Sequence, residues 1–525
     1  MPVLGAAADG ACAAPATTIE LPGGSLAQVL RTLANRTDSE IVSVDPDIAR
    51  IRIAARTVHG DVKKALRDVL SGTDYRAVKV GSNSYRIERR PAMVTRRPLP
   101  APQTPETGED ARPDLIVTAS KFPVPLLSYP GSVTQTAMPS PTAPSLRADD
   151  MDDIARRLPV VQSTEFGEGR NKFFIRGIAD SSFNGATQPT ASIYFGDALL
   201  GFGSPSPNLK LYDVQSVEIL EGPQGTLYGS GSIGGVVRIT PNPVDVENFS
   251  GSVGAGVSAT VSGSPGWDAN GAVNLPIVTS RVGMRLVAYH ERDGGYIDEP
   301  YRGRNLNGVN INGARASLAA HLGEALTVEA TFLHQATHSA DSQYIDARLP
   351  AMMRNTRLAE PYSNALSLGR MLVEYEWESA LKLTSVTSLG SRTSFDVFDS
   401  TPDPRFPPVA YQLGRSSSMV SNETRLSRRR DGGLSWVAGF AYQWGRDGQT
   451  RALGIPDQPT ELDEVTNITY SISAFGQASL PLGSRFDATL GARMTSARTD
   501  SEPGRGGDVS LIRGRQARRV DPRDP

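Results

Sequence analysis

Three glycines, Gly229, Gly231 and Gly234, stand at the G-x-G-x-x-G spacing inside the run EILEGPQGTLYGSGSIGG. Such glycines let backbone amides approach a pyrophosphate when a strand precedes them, a helix follows and an acid sits about 20 positions on. Val217 to Leu220 supplies the strand, but VVRITPNP follows, and its β-branched residues read as a second strand. Asp245 and Glu247 come too early, beyond a Pro-x-Pro break. The dinucleotide reading fails, and the glycines read as tight turns where two backbone segments approach closely. Cys12 is the single cysteine, so no disulfide framework or thiolate metal site is available. His290, His334 and His338 fall in strand-like or loop-like text without ligand spacing, and read as solvated or lumen-facing. No Ser/His/Asp set stands out. The chain reads as no enzyme, with no catalytic residue, resident metal or cofactor.

The elements that would carry these residues are mostly strands. The 525 residues include Gly 51 and Pro 38, which favours turns over long helices, and the net charge of −2 offers no general attraction to nucleic acid. No run of about 18 apolar residues exists, so no transmembrane helix is available. The opening MPVLGAAADGACAAPATT lacks a basic region and a sustained apolar stretch. Either the protein is cytoplasmic or a signal peptide lies upstream of this start.

Four regions follow one another. Residues 18–89 read as a small α/β domain. SLAQVLRTLANRT puts Leu26, Val29, Leu30 and Leu33 on one helical face behind Ser25 as N-cap, and DVKKALRDVLSGT repeats the pattern with Val62, Leu66, Val69 and Leu70 behind Asp61. Leu26, Leu30, Leu33, Leu66 and Leu70 are expected in one core. Residues 90–124 are a Pro-rich linker, spanning about 70 Å if extended, and they contain the β-prone hexad DLIVTA. Such a hexad is either a stray edge strand or a strand for donation to a partner's sheet edge. Residues 125–242 hold the glycine run. From 249 to 500 the text alternates. RVGMRLVAYH sets Val282, Met284, Leu286 and Ala288 on one face, and SWVAGFAYQW sets Trp436, Ala438, Phe440, Tyr442 and Trp444 against small or polar partners. About eleven such segments, with strand lengths near ten and unequal loops, form the signature of a membrane β-barrel. Residues 501–525 are an Arg-rich irregular tail.

The order of these parts resembles TonB-dependent outer-membrane receptors. DLIVTA resembles their TonB box: Asp114, Leu115, Ile116, Val117, Thr118 and Ala119. FFIRGIAD, ASIYFGDALL and LYDVQSVEILEGPQGTLYGSGSIGGVVRITPNP resemble the plug, and Arg176, Gly177, Glu218, Glu221, Gly222, Pro223, Gly225, Tyr228 and Gly229 stand in its motif. NLPIVTSRVGMRLVAYHERDGGYID resembles the first barrel strands, and residues 18–89 resemble the secretin and TonB short N-terminal domain of the signal-transducing branch. Glu221 stands where many members carry Arg. The resemblance implies three layers: a small N-terminal α/β domain, an α+β plug, and the first half, about 11 strands, of an antiparallel transmembrane β-barrel.

It further implies energy-coupled uptake of a scarce ligand, a ferric siderophore most often, with iron chelates, cobalamin and oligosaccharides all open. The implied partners are the TonB energy-coupling protein at 114–119, an anti-sigma regulator at the periplasmic N-terminal domain, and the outer membrane. Asn184, Gln188 and Phe202 fall in the outward plug loops as ligand contacts or as plain solvated turns. A plugged transporter barrel has about 22 strands, so the chain reads as C-terminally truncated, and an open edge facing lipid would cost tens of kcal/mol. The alternatives are a non-transporting, secretin-like periplasmic interaction protein or a non-functional remnant. Two structural expectations can be checked directly. Residues 114–119 should be extended and outside any sheet. Arg176, at the end of a plug strand, should pair with Glu423, with Glu374 or Glu376 as substitutes. In SMVSNETRLS, Val420, Thr424 and Leu426 are expected toward lipid, which turns Glu423 and Arg425 inward.

Overall fold

The computed structural model describes residues 18–43, 45–59, 61–81, 83–89, 116–117, 121, 124–125, 129, 131–138, 148–180, 189–201, 205–403, 405–430, 432–483 and 486–504. The chain divides into two compact units, Met1–Asp110 and Ala111–Pro525.

In the first unit, helix Leu26–Thr37 starts with a capping box in which Ser25 and Gln28 satisfy each other's backbone amides, and it ends at Asp38 in the left-handed region. Helix Val62–Leu70 is capped by Asp61. Strand Thr18–Leu21 pairs with Arg56–His59, and Ser84–Arg89 lies between Glu40–Ser43 and Tyr75–Lys79. The five leucines expected in the core are buried together with Val29, Val69, Tyr75 and Ile87. Leu33 is fully buried, so Leu33→Ala should cost about 2–5 kcal/mol of this unit's stability. Hydrogen exchange of amides within 18–89 of the whole chain would read this, and unchanged protection would contradict the packing.

In the second unit, a five-stranded mixed sheet runs in the order Val133–Ala137, Val214–Glu221, Gly235–Pro241, Ala191–Phe195 and Ala198–Leu199. Only the pairing of Ala191–Phe195 with Gly235–Pro241 is parallel. The glycine run forms one helical turn, Gly225–Tyr228, and then enters this sheet. Gly235 has φ 149°, and a Cβ there would stand 2.2 Å from the Leu220 carbonyl, so close backbone approach explains that glycine. Helix Met151–Arg157 packs into the core below the sheet.

Eleven antiparallel strands, from Ser250–Ser258 to Asp487–Pro503, then form one sheet in sequence order. The expected alternation holds. Met284, Leu286, Phe332, Met371, Leu389 and Phe440 share the outward face, while Arg285, Glu291, Arg315, Gln335 and Arg425 are buried behind it. An apolar outward face over a polar inward one is the pattern of a membrane β-wall. The expectation of strands near ten residues is corrected, since Ser435–Ile455 has 21 residues and Gln458–Pro481 has 24. The apolar stripe sets only the length facing lipid; the ladder continues past it because each strand's backbone groups still find partners on the next. The connections 279–281, 323–325 and 377–380 are short, whereas 294–308, 340–361 and 400–409, at the opposite end of the sheet, are long.

Candidate functional site

The mixed sheet and the wall meet through buried ions. Asp213, left-handed at φ 55°, ends the approach to a central strand. It accepts both donors of a fork from Arg285, with Nε at 2.7 Å, and a bond from Arg315, whose Nη2 also reaches the Asp213 carbonyl at 2.8 Å. Nearby, Lys210 Nζ stands 2.8 Å from Asp150 and 3.2 Å from the wall's Glu291, which also accepts from Tyr212 Oη at 2.8 Å. Further along, Arg170 donates to Asp396 at 2.8 Å and to the Glu360 carbonyl at 3.0 Å, over the ring of Tyr362. Charge-assisted bonds of this kind, out of water and with their donors satisfied, fix orientation strongly.

Asp152 and Glu168 make this interface sensitive to protons. Asp152 accepts from Asn171 at 2.7 Å and Ser163 at 2.9 Å; Glu168 accepts from Asn208 at 2.9 Å. Burial, with Asp150 close by, pushes the Asp152 carboxyl up to about 6. Burial pushes Glu168 up to about 8, against the pull of Lys210. Both values are raised above those of an unfolded chain, so the folded state holds more protons. Their contribution to stability is full below about pH 4 and is lost as pH rises through about 6 and then about 8. Hydrogen-exchange protection of 148–175, corrected for intrinsic rate, should therefore fall between pH 5 and 8.5. Glu168→Gln should flatten the upper part of that profile; a wild-type slope in the variant would refute the assignment.

The segment before the sheet is fastened by a third cluster. Lys121 is fully buried, and its Nζ lies 2.7 and 2.8 Å from the two carboxylate oxygens of Glu423. The same ammonium sits 4.3 Å from the Tyr228 ring centre, and Tyr228 meets Tyr194 edge-on at 5.0 Å. Glu423 also accepts from Arg425 at 3.1 Å, and Arg425 reaches Asp197 at 3.2 Å. Arg238 donates to the neighbouring Gly196 carbonyl at 3.0 Å and approaches Asp197 at 3.5 Å. Burial alone would favour a neutral Asp197, but Arg425, Arg238 and Lys121 outweigh it and hold the carboxyl below its ordinary range. Burial pushes the Lys121 ammonium down, and Glu423 opposes that.

The expected Arg176–Glu423 pair is therefore corrected: Lys121 occupies Glu423. Arg176 sits at φ 55° at the end of Phe173–Ile175, donates its backbone N–H to the Val160 carbonyl, and turns its side chain to the exposed side near Gly222. Among the described residues no carboxylate lies within ion-pair distance of it. The substitutes do not pair with it either; Glu374 takes Lys382 at 2.9 Å. The inward parity of Glu423 and Arg425 does hold, since both contact residues of the plug side.

The free coupling segment is likewise corrected where it is described. Ile116–Val117 pairs with Val124–Pro125 as a two-residue ladder. Val117 is fully buried among Leu220, Leu227, Tyr228, Val236, Val437 and Phe475. Asp114, Leu115, Thr118 and Ala119 lie outside the described residues, as do Asn184, Gln188 and Phe202.

The remaining motif positions cluster around the glycine run. Glu218 is buried and stands opposite Arg238 in the ladder. Glu221 accepts from Thr134 at 3.0 Å. Gly222 is left-handed at φ 84°, with its amide on the Gly234 carbonyl, and Pro223 is exposed beside it. Gly177 is left-handed too, Gly225 opens the helical turn, and Gly229 closes it under the wall's Arg493. Sequence reasoning missed Lys121, Asp197, Asp213, Arg285 and Arg315. The signal for the wall arginines was present, as charged residues on the inward parity of Val282–Asp293 and Val309–Leu322.

The comparisons agree with this geometry. Residues 125–236 match the TonB-dependent Receptor Plug Domain. The pesticin receptor of Yersinia pestis is 29% identical over 226 residues, covering 42% of this chain and 31% of that protein. The ferripyoverdine receptor of Pseudomonas aeruginosa is 22% identical over 230 residues, covering 42% and 27%. The matched stretch thus spans less than a third of these curated relatives. Among solved structures, the ferric yersiniabactin uptake receptor of Yersinia pestis superposes with TM-score 0.61 at 17% identity, over 71% of this chain and 61% of that one. The ferripyoverdine receptor of the Pseudomonas aeruginosa outer membrane superposes with TM-score 0.58 at 14% identity, over 94% and 67%.

A sheet seated on a β-wall through buried ions is the fold this chain shares with these solved receptors, and residues 125–236 carry the match to the TonB-dependent receptor plug domain. The relatives named with it are receptors for pesticin and ferripyoverdine.

Proposed function

We propose that this chain supplies the plug and wall of an outer-membrane receptor that imports a ferric siderophore with energy drawn from TonB. The observation that carries the reading is the position of Lys121. It fixes the chain two residues after the 114–119 segment to Glu423 of the wall, so a pull on that segment is borne by the packing and short ladder of Val117 and then by this buried ion pair. The names of the relatives support the ligand class. Asp114, Leu115, Ile116, Val117, Thr118 and Ala119 are the proposed TonB contact, through strand pairing that Ile116 would join. The N-terminal unit has its own core, and the superposition covering 94% of the chain extends into it. These two facts support a signalling role toward an anti-sigma regulator in the periplasm.

The test uses the whole chain in outer-membrane fractions with the purified periplasmic domain of TonB. Ile116→Pro removes a backbone donor and blocks strand pairing, and should reduce TonB capture at least tenfold. Capture equal to that of the wild type would refute the coupling assignment, and a product that stays in the soluble fraction would refute the receptor reading itself.

A further inference from the structure

The outward face of the wall carries two clefts in line. The first, of about 290 Å³, is lined by Asn310, Asn312, His338, Ser363 and Thr393, with Phe395 at its end. The second, of about 510 Å³, lies further along the same strands; Ala316, Ala330 and Gly369 form its floor, and Leu318, Phe332 and Met371 its sides. Gly369 opens this floor because it stands between Phe332 and Leu389 without a side chain of its own.

The upper cleft is a row of hydrogen-bond donors. Arg292 stands opposite Asn310, Asn310 opposite His338, and His338 opposite Ser363, with Phe395 next. The adjoining outward row is His290, Asn312, Ala336, Ala365 and Thr393, so neither row contains a carboxylate. His290 holds Asn312 at 2.5 Å, and Trp267 lies 4.5 Å from the His290 ring, as an aromatic at a membrane boundary does. From the Asn310 row to the floor of the lower cleft is about seven residues, or ~24 Å of strand at ~3.4 Å each. At a tilt of ~40° that is roughly 18 Å of depth, close to the ~15 Å of one leaflet's hydrocarbon.

We infer that this strip holds one phosphate-bearing membrane lipid, with the phosphate on Arg292, Asn310 and His338 and an acyl chain laid over Gly369. A lipid with an anionic head fits because the upper rows offer donors and cationic or titratable nitrogens and no opposing acid. One chain fits because the lower cleft is apolar and begins a leaflet's depth below. The inference rests on the reading that this face meets lipid.

The whole chain would be placed in liposomes doped with phosphatidylglycerol carrying a diazirine on its acyl chain, and in a second set with diacylglycerol carrying the same chain. After photolysis, adducts would be located by peptide mass spectrometry. The phosphate-bearing probe should label residues 316–332 and 369–389 at least fivefold above the outward positions Phe440, Tyr470 and Ile472. Diacylglycerol should lose that preference, as should the Asn310→Ala/His338→Ala variant, and Gly369→Leu should remove adducts from the cleft while labelling elsewhere persists. Even labelling of the whole outward face, or equal preference by both probes, overturns the site and leaves the receptor reading intact. Absence of adducts from every outward position overturns both.

Discussion

Lys121→Ala should loosen the Ile116–Val117 ladder and its neighbouring position 121 from the wall. The substitution leaves the Glu423 carboxylate with Arg425 alone and removes an ammonium held at 2.7 Å. Breaking one side of a buried pair costs about 3–5 kcal/mol when the other side stays buried. A nitroxide placed at Ile116, whose backbone pairs with Pro125, should pass from an immobile to a mobile spectrum. Lys121→Met separates charge from packing, because it keeps an unbranched stem against Tyr228 and Tyr194 while removing the ammonium, and it should be nearly as mobile as the alanine variant. The exchanged pair Lys121→Glu with Glu423→Lys should recover part of the immobility. An immobile label in both single variants would mean that Val117 and its apolar neighbours hold the segment without the ion pair.

Asp213→Ala should loosen the plug from the opposite side of the wall. One carboxylate there serves Arg285 and Arg315, both buried, and also accepts from Asn242 at 2.9 Å. Its removal leaves two guanidiniums facing each other in a nearly dry site, a loss again of about 3–5 kcal/mol. Asp213→Asn is the sharper comparison. Asparagine tolerates the left-handed φ of 55°, so the backbone turn survives while the charge does not. Both variants should raise hydrogen exchange in 133–137 and 214–221 and accelerate protease cleavage of the plug. If the asparagine variant matches the wild type and only alanine loosens the plug, the turn and not the charge is what matters at this position.

Much of the fold was legible because its causes are local. Side chains alternate along any strand, so Val282, Met284, Leu286 and Ala288 had to share a face wherever the strand lay. The same rule turned Glu423 and Arg425 inward. Ser25 and Asp61 announced the two helices because a side-chain oxygen before an apolar helical face meets the first unpaired amides. The glycine run announced tight backbone approach, and Gly235 against the Leu220 carbonyl is that approach.

What parity could not supply was position around the wall. It says that Glu423 faces inward and is silent on which of many inward-facing cations stands across from it. Arg176 was the natural candidate by motif, yet its left-handed backbone turns it out of the interface. Lys121 sits in a stretch with no period at all, 302 residues from Glu423, and nothing local marks it as buried. The same holds for Asp213, Arg285 and Arg315, whose meeting depends on how the mixed sheet is rotated against the wall strands. By itself the sequence determined the elements, their order and the sense of each face, because those follow from chirality, pleat and capping within a few residues. Only the tertiary structure decided which charges share a site, because that choice is made by packing two large surfaces at once, where an ion left without its partner costs more than any local preference can return.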